Sequence, residues 1–296
     1  MWSFYSTYWE KPFQRNMASN VVCKGMSQME ESILNIENLH VHTKTPQGTI
    51  SLVQEIAFEV KHGQIVGLIG ESGCGKTVTS MSILNMLDRK TTEVTGSITL
   101  QGRELIGLSE QHMRSIRGKD LSYIMQNPMN SFTPVWTIGH QLIETIRRHT
   151  SVSKRQARVQ AIEALEKMNL PHPDQLLSKY PFELSGGMLQ RVMIAMAACM
   201  HPPLIIADEP TTALDVHNQK LVLEHLNQIR HEYGTAILLI THDLSVIAEM
   251  ADEVVVMKQG KIVEKAEVLE LFEHLKHDYT KKLLAARPSI PAVCPI

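Results

Sequence analysis

Ile65-Val66-Gly67-Leu68-Ile69 runs directly into Gly70-Glu71-Ser72-Gly73-Cys74-Gly75-Lys76-Thr77, and the reading of this stretch decides the rest. The first five residues are an uninterrupted apolar run of strand length. The next eight fit G-x-x-x-x-G-K-[ST]. Val78, Met81 and Leu84 then recur at helical spacing, which predicts a helix over 76–87. Strand, glycine loop and helix in this order form the context that the pattern requires. The glycines let the backbone fold around phosphate oxygens without Cβ clashes. Amides of Gly73, Gly75 and the helix start face the anion, and the helix dipole favours its charge. Lys76 is expected to reach β- and γ-phosphates, and the Thr77 hydroxyl to ligate Mg²⁺. Glu71 and Ser72 complete the loop, with Cys74 as a small spacer.

Two further strand ends carry chemistry. Leu204-Ile205-Ile206-Ala207 delivers Asp208 and Glu209, and Ile237–Ile240 delivers Thr241-His242-Asp243. Asp208 suits an organiser of Mg²⁺. Glu209, one residue beyond, suits the group that orients or deprotonates an attacking water. His242 is read as a donor to the γ-phosphate or a positioner of that water.

Around these motifs the chain reads as α/β. Residues 33–60 alternate apolar and polar, with a break at Pro46-Gln47-Gly48, and predict antiparallel strands; a strand signal returns at 97–100. Ile138, Leu142, Ile143 and Ile146 predict one helix. A second, capped by Ser153, uses Val159, Ile162, Leu165 and Met168 and stops at Pro171 and Pro173. These helices read as an insertion. From Leu204 to Met257 strand and helix alternate, which predicts a largely parallel sheet.

Composition excludes other classes. Lys and Arg number 29 against 31 Asp and Glu, a net charge of −2, which argues against nucleic-acid binding by bulk charge. Cys23, Cys74, Cys199 and Cys294 form no CxxC and no zinc spacing, as befits a reducing compartment. No run approaches 18 apolar residues, so a membrane role needs a separate partner. Residues 1–30, crowded with Trp2, Phe4, Tyr5, Tyr8, Trp9 and Phe13, read as a flexible extension without a secretory signal.

Leu184-Ser185-Gly186-Gly187-Met188-Leu189-Gln190 lies between the glycine loop and the Asp208 strand, and with it the chain resembles an ATP-binding cassette ATPase. The resemblance spans residues 33–275. It implies a P-loop nucleotide hydrolase with a mostly parallel core sheet, an N-terminal antiparallel strand region and a helical insertion over about 127–190. Domain bounds follow as 1–30, 31–275 and a tail at 276–296. The same resemblance makes Gln126 the Q-loop glutamine, sensing or ligating Mg²⁺. Asp215 becomes the D-loop aspartate, and His242 the switch histidine.

What the family implies is a head-to-tail pair of cassettes. Ser185, Gly186 and Gly187 of one chain would hold the γ-phosphate of ATP bound mainly by Gly70–Thr77, Asp208 and Glu209 of the other. The wording of Tyr180–Met196, Asn127–Pro134 and Tyr279–Ala286 is similar to the peptide/nickel importer ATPases. The implied system has two transmembrane permeases, a second and paralogous ATPase, and an extracytoplasmic binding protein. The chain would sit peripherally on the cytoplasmic face of the membrane. Met188-Leu189-Gln190-Arg191 and the short tail lean toward nickel or another metal species over peptides.

Three alternatives and two departures accompany this reading. A translation cassette would carry two such units and a repair cassette long coiled coils, neither present; a silent regulatory cassette would not keep Lys76, Asp208, Glu209 and His242. The position expected to stack on adenine is Gln47, with Thr43, Thr45 and Ile50 nearby, so no aromatic platform is available there. Cys294 alone cannot supply the four ligands of a terminal iron–sulfur cluster.

Overall fold

The computed structural model describes residues 32–274 and 276–285; the calls on residues 1–30 and on 286–296 therefore lie outside the described residues. Two sheets and a helical layer are assembled from the elements below.

β1 (Ser32–Thr45) and β2 (Gly48–Lys61) form an antiparallel hairpin, and β1 also pairs with β4 (Thr92–Leu100), which pairs with the short β5 (Arg103–Glu104). The second sheet has the order β10-β9-β3-β8-β7-β6. Here β3 is Ile65–Ile69, β6 Leu121–Ile124, β7 Leu204–Asp208, β8 Ala236–Ile240, β9 Glu253–Lys258 and β10 Lys261–Glu267. All its pairings are parallel except β9 with β10.

Strand periodicity divides the interior in two. Ile65, Ile69, Ile205, Ala207, Ile237, Leu239, Val254 and Val256 point into one apolar cluster, shared with the helices. Their neighbours Val66, Leu68, Leu204, Ile206, Leu238, Ile240, Val255 and Met257 point into the other, shared with the antiparallel sheet. The inner strands β3, β7 and β8 are covered on both faces, which explains the apolar wording of Ile65–Ile69, Leu204–Ala207 and Ala236–Ile240, whereas β6 carries Ser122 and Tyr123.

The helices are α1 (Lys76–Ile83), α2 (Glu110–Ile116), α3 (Ile138–His149), α4 (Lys154–Lys167), α5 (Pro173–Leu176), α6 (Gly186–Ala198), α7 (Val216–Tyr233), α8 (Leu244–Met250), α9 (Val268–Glu273) and α10 (Asp278–Ala285). Ser153 caps α4 in a reciprocal box with Gln156.

Several local expectations are corrected. α1 ends at Ile83 because Asn85 turns left-handed (φ 50°) and its amide bonds the carbonyls of Leu105 and Leu108. β4 begins at Thr92, five residues earlier than its apolar signal, since its polar half is held by the register Thr43↔Thr92 to His40↔Thr95. In α4 the buried face is Ala157, Ala161 and Leu165, at i, i+4 and i+8; Val159 is 50% exposed. Pro173 opens α5 where a stop alone was expected, as suits proline in a first helical turn. α7 extends from its Asp215 cap to Gly234 (φ 67°), beyond the apolar positions 221–229.

The strand that feeds the glycine loop is fixed by a polar clamp. The Asp252 carboxylate accepts from the Ile65 amide at 2.8 Å and from the Arg230 guanidinium at 2.8 Å, and Arg230 Nε donates to the Gly63 carbonyl at 2.7 Å. Asp252→Ala leaves two donors without this partner and is expected to cost about 1–3 kcal/mol; denaturant unfolding of the full chain measures it, and a loss below about 0.5 kcal/mol would show that the clamp is incidental.

Candidate functional site

The glycine loop sits at the C-terminal end of β3, beside the ends of β7 and β8. Parallel pairing makes these ends coincide, and residues from them line one open cleft of about 810 Å³. Its walls include Ser72, Gly73, Gly75, Lys76, Thr77, Gln126, Asp208, Glu209 and His242.

At Gly70 and Gly75 the loop has little room for a side chain. A Cβ on Gly70 (φ 151°) would stand 2.2 Å from the Met257 carbonyl oxygen, and one on Gly75 (φ 112°) would meet the Leu52 carbonyl at 3.2 Å. Cys74 is buried, and its carbonyl accepts from the Gly260 amide at 2.8 Å. Lys76, only 8% exposed, donates to the carbonyls of Gly70 at 2.6 Å and Glu71 at 3.0 Å. Glu71, Ser72 and Thr77 face solvent.

Adjacent carboxylates at the end of β7 are pushed in opposite directions. Asp208 is buried, and burial raises its carboxyl above the ordinary value; the Glu209 charge adds to this, against the opposing Tyr123 hydrogen bond and Lys76 charge. Glu209 is also raised by burial, but hydrogen bonds from His242 and Thr212, with the His242 and Lys76 charges, bring it below the ordinary value. Its backbone adopts φ 47°, held by its amide on the Ile240 carbonyl at 2.7 Å.

Three side chains hold the Glu209 carboxylate. Gln126 Nε2 donates to Oε2 at 2.8 Å, Thr212 Oγ1 donates to Oε2 at 2.9 Å, and His242 Nδ1 lies 2.9 Å from Oε1. The Gln126 amide nitrogen is thus engaged with Glu209, leaving its carbonyl oxygen as the atom with metal-ligating capacity.

Ser185, Gly186, Gly187 and Asp215 are not among the residues lining that cleft. Ser185 Oγ caps α6 by accepting from the Met188 amide at 3.3 Å, so the loop is a helix cap whatever else it does. Asp215 caps α7 through the Asn218 amide at 2.9 Å. A Cβ on Gly187 would meet Asn218 Oδ1 at 2.6 Å, so these two cap regions adjoin. Gln190 of α6 donates to the Pro210 carbonyl at 2.7 Å, which ties this helix to the turn after Glu209.

Residues 53–212 match the family model described as ABC transporter. The chain is an ATP-binding cassette of the ABC transporter family. Within that family it belongs to the peptide/nickel/glutathione importer group. It is 42% identical over 261 residues to the dipeptide transport ATP-binding protein DppD of Bacillus subtilis, covering 88% of this chain and 78% of that protein. It is 43% identical over 257 residues to the probable peptide ABC transporter ATP-binding protein y4tR of Sinorhizobium fredii, covering 86% and 77%. The glutathione import ATP-binding protein GsiA of Escherichia coli is 41% identical over 268 residues, covering 88% of this chain but 43% of GsiA. Among solved structures, the dimeric ATP-binding cassette MJ0796 bound to ADP and Pi superposes with a TM-score of 0.71 at 24% identity, covering 79% and 98%, a likeness of fold.

The cassette's donor set fits MgATP. A buried ammonium lies in a glycine-shaped loop, and the Thr77 hydroxyl and the buried Asp208 carboxylate line the same cleft; among the described residues no cation stands within hydrogen-bonding distance of that carboxylate. Sequence reasoning missed Tyr123, whose hydroxyl donates to Asp208 Oδ2 at 2.7 Å, and Thr212 on Glu209. The Tyr123 hydroxyl is pushed well above its ordinary value by burial first, then by Asp208. A tyrosine on the strand before Gln126 was the available signal. On the adenine side, Gln47 lies in the β1–β2 turn and Ile50 is exposed.

The sign of the Asp208 shift makes a prediction. Its folded value lies above the ordinary 3.8, so the stability it lends is fully present below 3.8 and is lost as pH rises through the folded value. Asp208→Asn keeps an acceptor for Tyr123 and removes the charge. In chelator at pH 7 the variant is expected to melt above the parent, with the gain vanishing below about pH 4. An equal or lower midpoint at pH 7 would contradict the burial argument.

Proposed function

We propose that this cassette hydrolyses MgATP to drive import through two partner permeases. The observation that carries the reading is the convergence of Lys76, Thr77 and Asp208 with a Glu209 carboxylate held from three sides. Lys76 turns from the carbonyls of Gly70 and Glu71 to phosphate oxygens, and the loop amides orient the triphosphate. Thr77 and Asp208, with Gln126 at hand, would hold magnesium, which would supply charge neutralisation. Glu209, kept anionic, orients water and accepts its proton; His242 steadies Glu209 and the γ-phosphate side.

Ser185, Gly186, Gly187 and Asp215 act across a head-to-tail interface with a second cassette, by our reading a paralogue. That none of them lines the Lys76 cleft supports this division. ATP then favours the closed pair by contacting both halves, and phosphate loss removes that preference. The segment from Gln126 to Pro134 and the helices after it face the permeases. Val135 and Trp136 are exposed there, whereas Phe132 is buried and packs the insertion. An adjoining groove lined by Met86, Met125, Met193 and Met196 offers a deformable apolar seat.

Relatives named for dipeptide, peptide and glutathione transport favour short peptides over nickel as the cargo. An extracytoplasmic binding protein would deliver it. By the same reading the chain sits peripherally at the cytoplasmic face of the membrane. Among the described residues no helix is long and apolar enough to cross one. The domain bounds 31–275 with an insertion over about 127–190 remain our proposal.

Glu209→Gln is expected to retain MgATP binding and lose turnover by about 100-fold or more. Ser185→Arg should abolish turnover of the assembled complex while sparing nucleotide binding by the isolated chain. Both are read by ATPase assay and nucleotide titration of the reconstituted complex with peptide or nickel cargo. Turnover near that of the parent in Glu209→Gln would remove the base assignment, and in Ser185→Arg the shared site.

A further inference from the structure

The C-terminal segment reaches the nucleotide loop by one hydroxyl. Tyr279, on α10 and 5% exposed, accepts a hydrogen bond from the Glu71 amide at 3.0 Å, across 208 positions of sequence. The other end of that same peptide unit is the Gly70 carbonyl, which accepts from the Lys76 ammonium at 2.6 Å. One peptide plane is therefore gripped at both ends, by Tyr279 on its N–H and by the buried lysine on its C=O.

The tyrosine is itself well held. The Glu264 carboxylate, 8% exposed, accepts from the amides of Lys276 at 3.0 Å and His277 at 3.2 Å and from the Thr280 hydroxyl. These donors fix the start of α10. Lys258 lies over the Tyr279 ring at 4.9 Å from its centroid. On the loop side, Gly70 is pressed against the Met257 carbonyl, so the peptide has little space in which to shift as a body. Rotation about its flanking torsions is the freedom that remains, and the Tyr279 hydroxyl opposes it.

We propose that Tyr279 is a positioning residue for the phosphate loop, holding the Gly70–Glu71 peptide so that the loop amides meet the triphosphate already arranged even as Lys76 leaves the Gly70 carbonyl. The inference deepens the MgATP reading and rests on it for its effect on affinity. A preorganised loop loses less freedom on binding, so its loosening lowers affinity. The hydroxyl does this without touching nucleotide, and α10 becomes part of the nucleotide site by way of a single bond.

Tyr279→Phe in the full chain keeps the ring, its burial and the lysine over it, and deletes only the acceptor. Hydrogen exchange of the Glu71 amide in nucleotide-free protein should speed up, and the dissociation constant for MgATP should rise about three- to tenfold, the range expected for one hydrogen bond. The thermal midpoint should fall by at most the few degrees that one hydrogen bond is worth, and Tyr279→Trp, which removes the bond and the fit together, should lower it further. Unchanged exchange at Glu71 in a folded Tyr279→Phe protein would overturn the proposal, as would faster exchange with unchanged MgATP affinity. If the parent itself bound no MgATP, the functional reading would fail, while the exchange result would still decide whether Tyr279 holds the loop.

Discussion

A buried ammonium organises the cleft. Lys76 is almost wholly withdrawn from water, and a charge in that position must be met by close acceptors. The loop supplies them from its own backbone, the carbonyls of Gly70 and Glu71. That solution dictates much else. The backbone must fold tightly enough to bring residues 70 and 71 back to residue 76, which requires the positive φ of Gly70, Gly73 and Gly75. The strand before the loop must end at a fixed point, which the Asp252–Arg230 clamp on Ile65 and Gly63 secures. Under the proposed function the phosphates take over from these carbonyls as partners of the ammonium.

Much of this was legible in the sequence because the inner parallel strands, buried on both faces, are apolar along their length, whereas β6, with Ser122 and Tyr123, gave no such signal. Ile65–Ile69, Leu204–Ala207, Ala236–Ile240 and Val254–Met257 announce themselves, and strand ends in a parallel sheet gather at one edge. Loop, carboxylates and histidine follow from that rule. The antiparallel sheet was less legible, since the Thr92–Gly96 half of β4 is polar and is defined by its partner strand. Val159 misled because alanines carry the buried face of α4, and a small residue gives a weaker apolar signal than an exposed valine.

Side-chain partners were the least legible part. Tyr123 on Asp208 spans 85 positions, Gln126 on Glu209 spans 83 and Tyr279 on Glu71 spans 208. No spacing rule encodes such bonds; they exist only once strand order places distant segments together. The family resemblance pointed to Gln126 and His242 as residues near the reacting phosphate. Their observed bonds to Glu209 add how they are linked to each other, through one carboxylate.

That linkage has a consequence for coupling. Glu209 sits in a left-handed backbone conformation that a glutamate adopts at a cost of about 1–3 kcal/mol, and its carboxylate is held by side chains from three separate segments. Gln126 opens the stretch that leads to exposed Val135 and Trp136. Thr212 opens the stretch that leads to Asp215 and the cap of α7. His242 lies at the end of β8, immediately before α8. A displacement of any one segment changes the geometry of the same carboxylate, because each contributes a bond to it. Under the proposed function, the first segment meets a permease and the second a neighbouring cassette. Glu209 then stands where those contacts converge, so a shift at either surface alters the water-orienting geometry through a bond already formed in the single chain. Coupling in this arrangement needs no long pathway, only the three hydrogen-bonding partners of a single side chain.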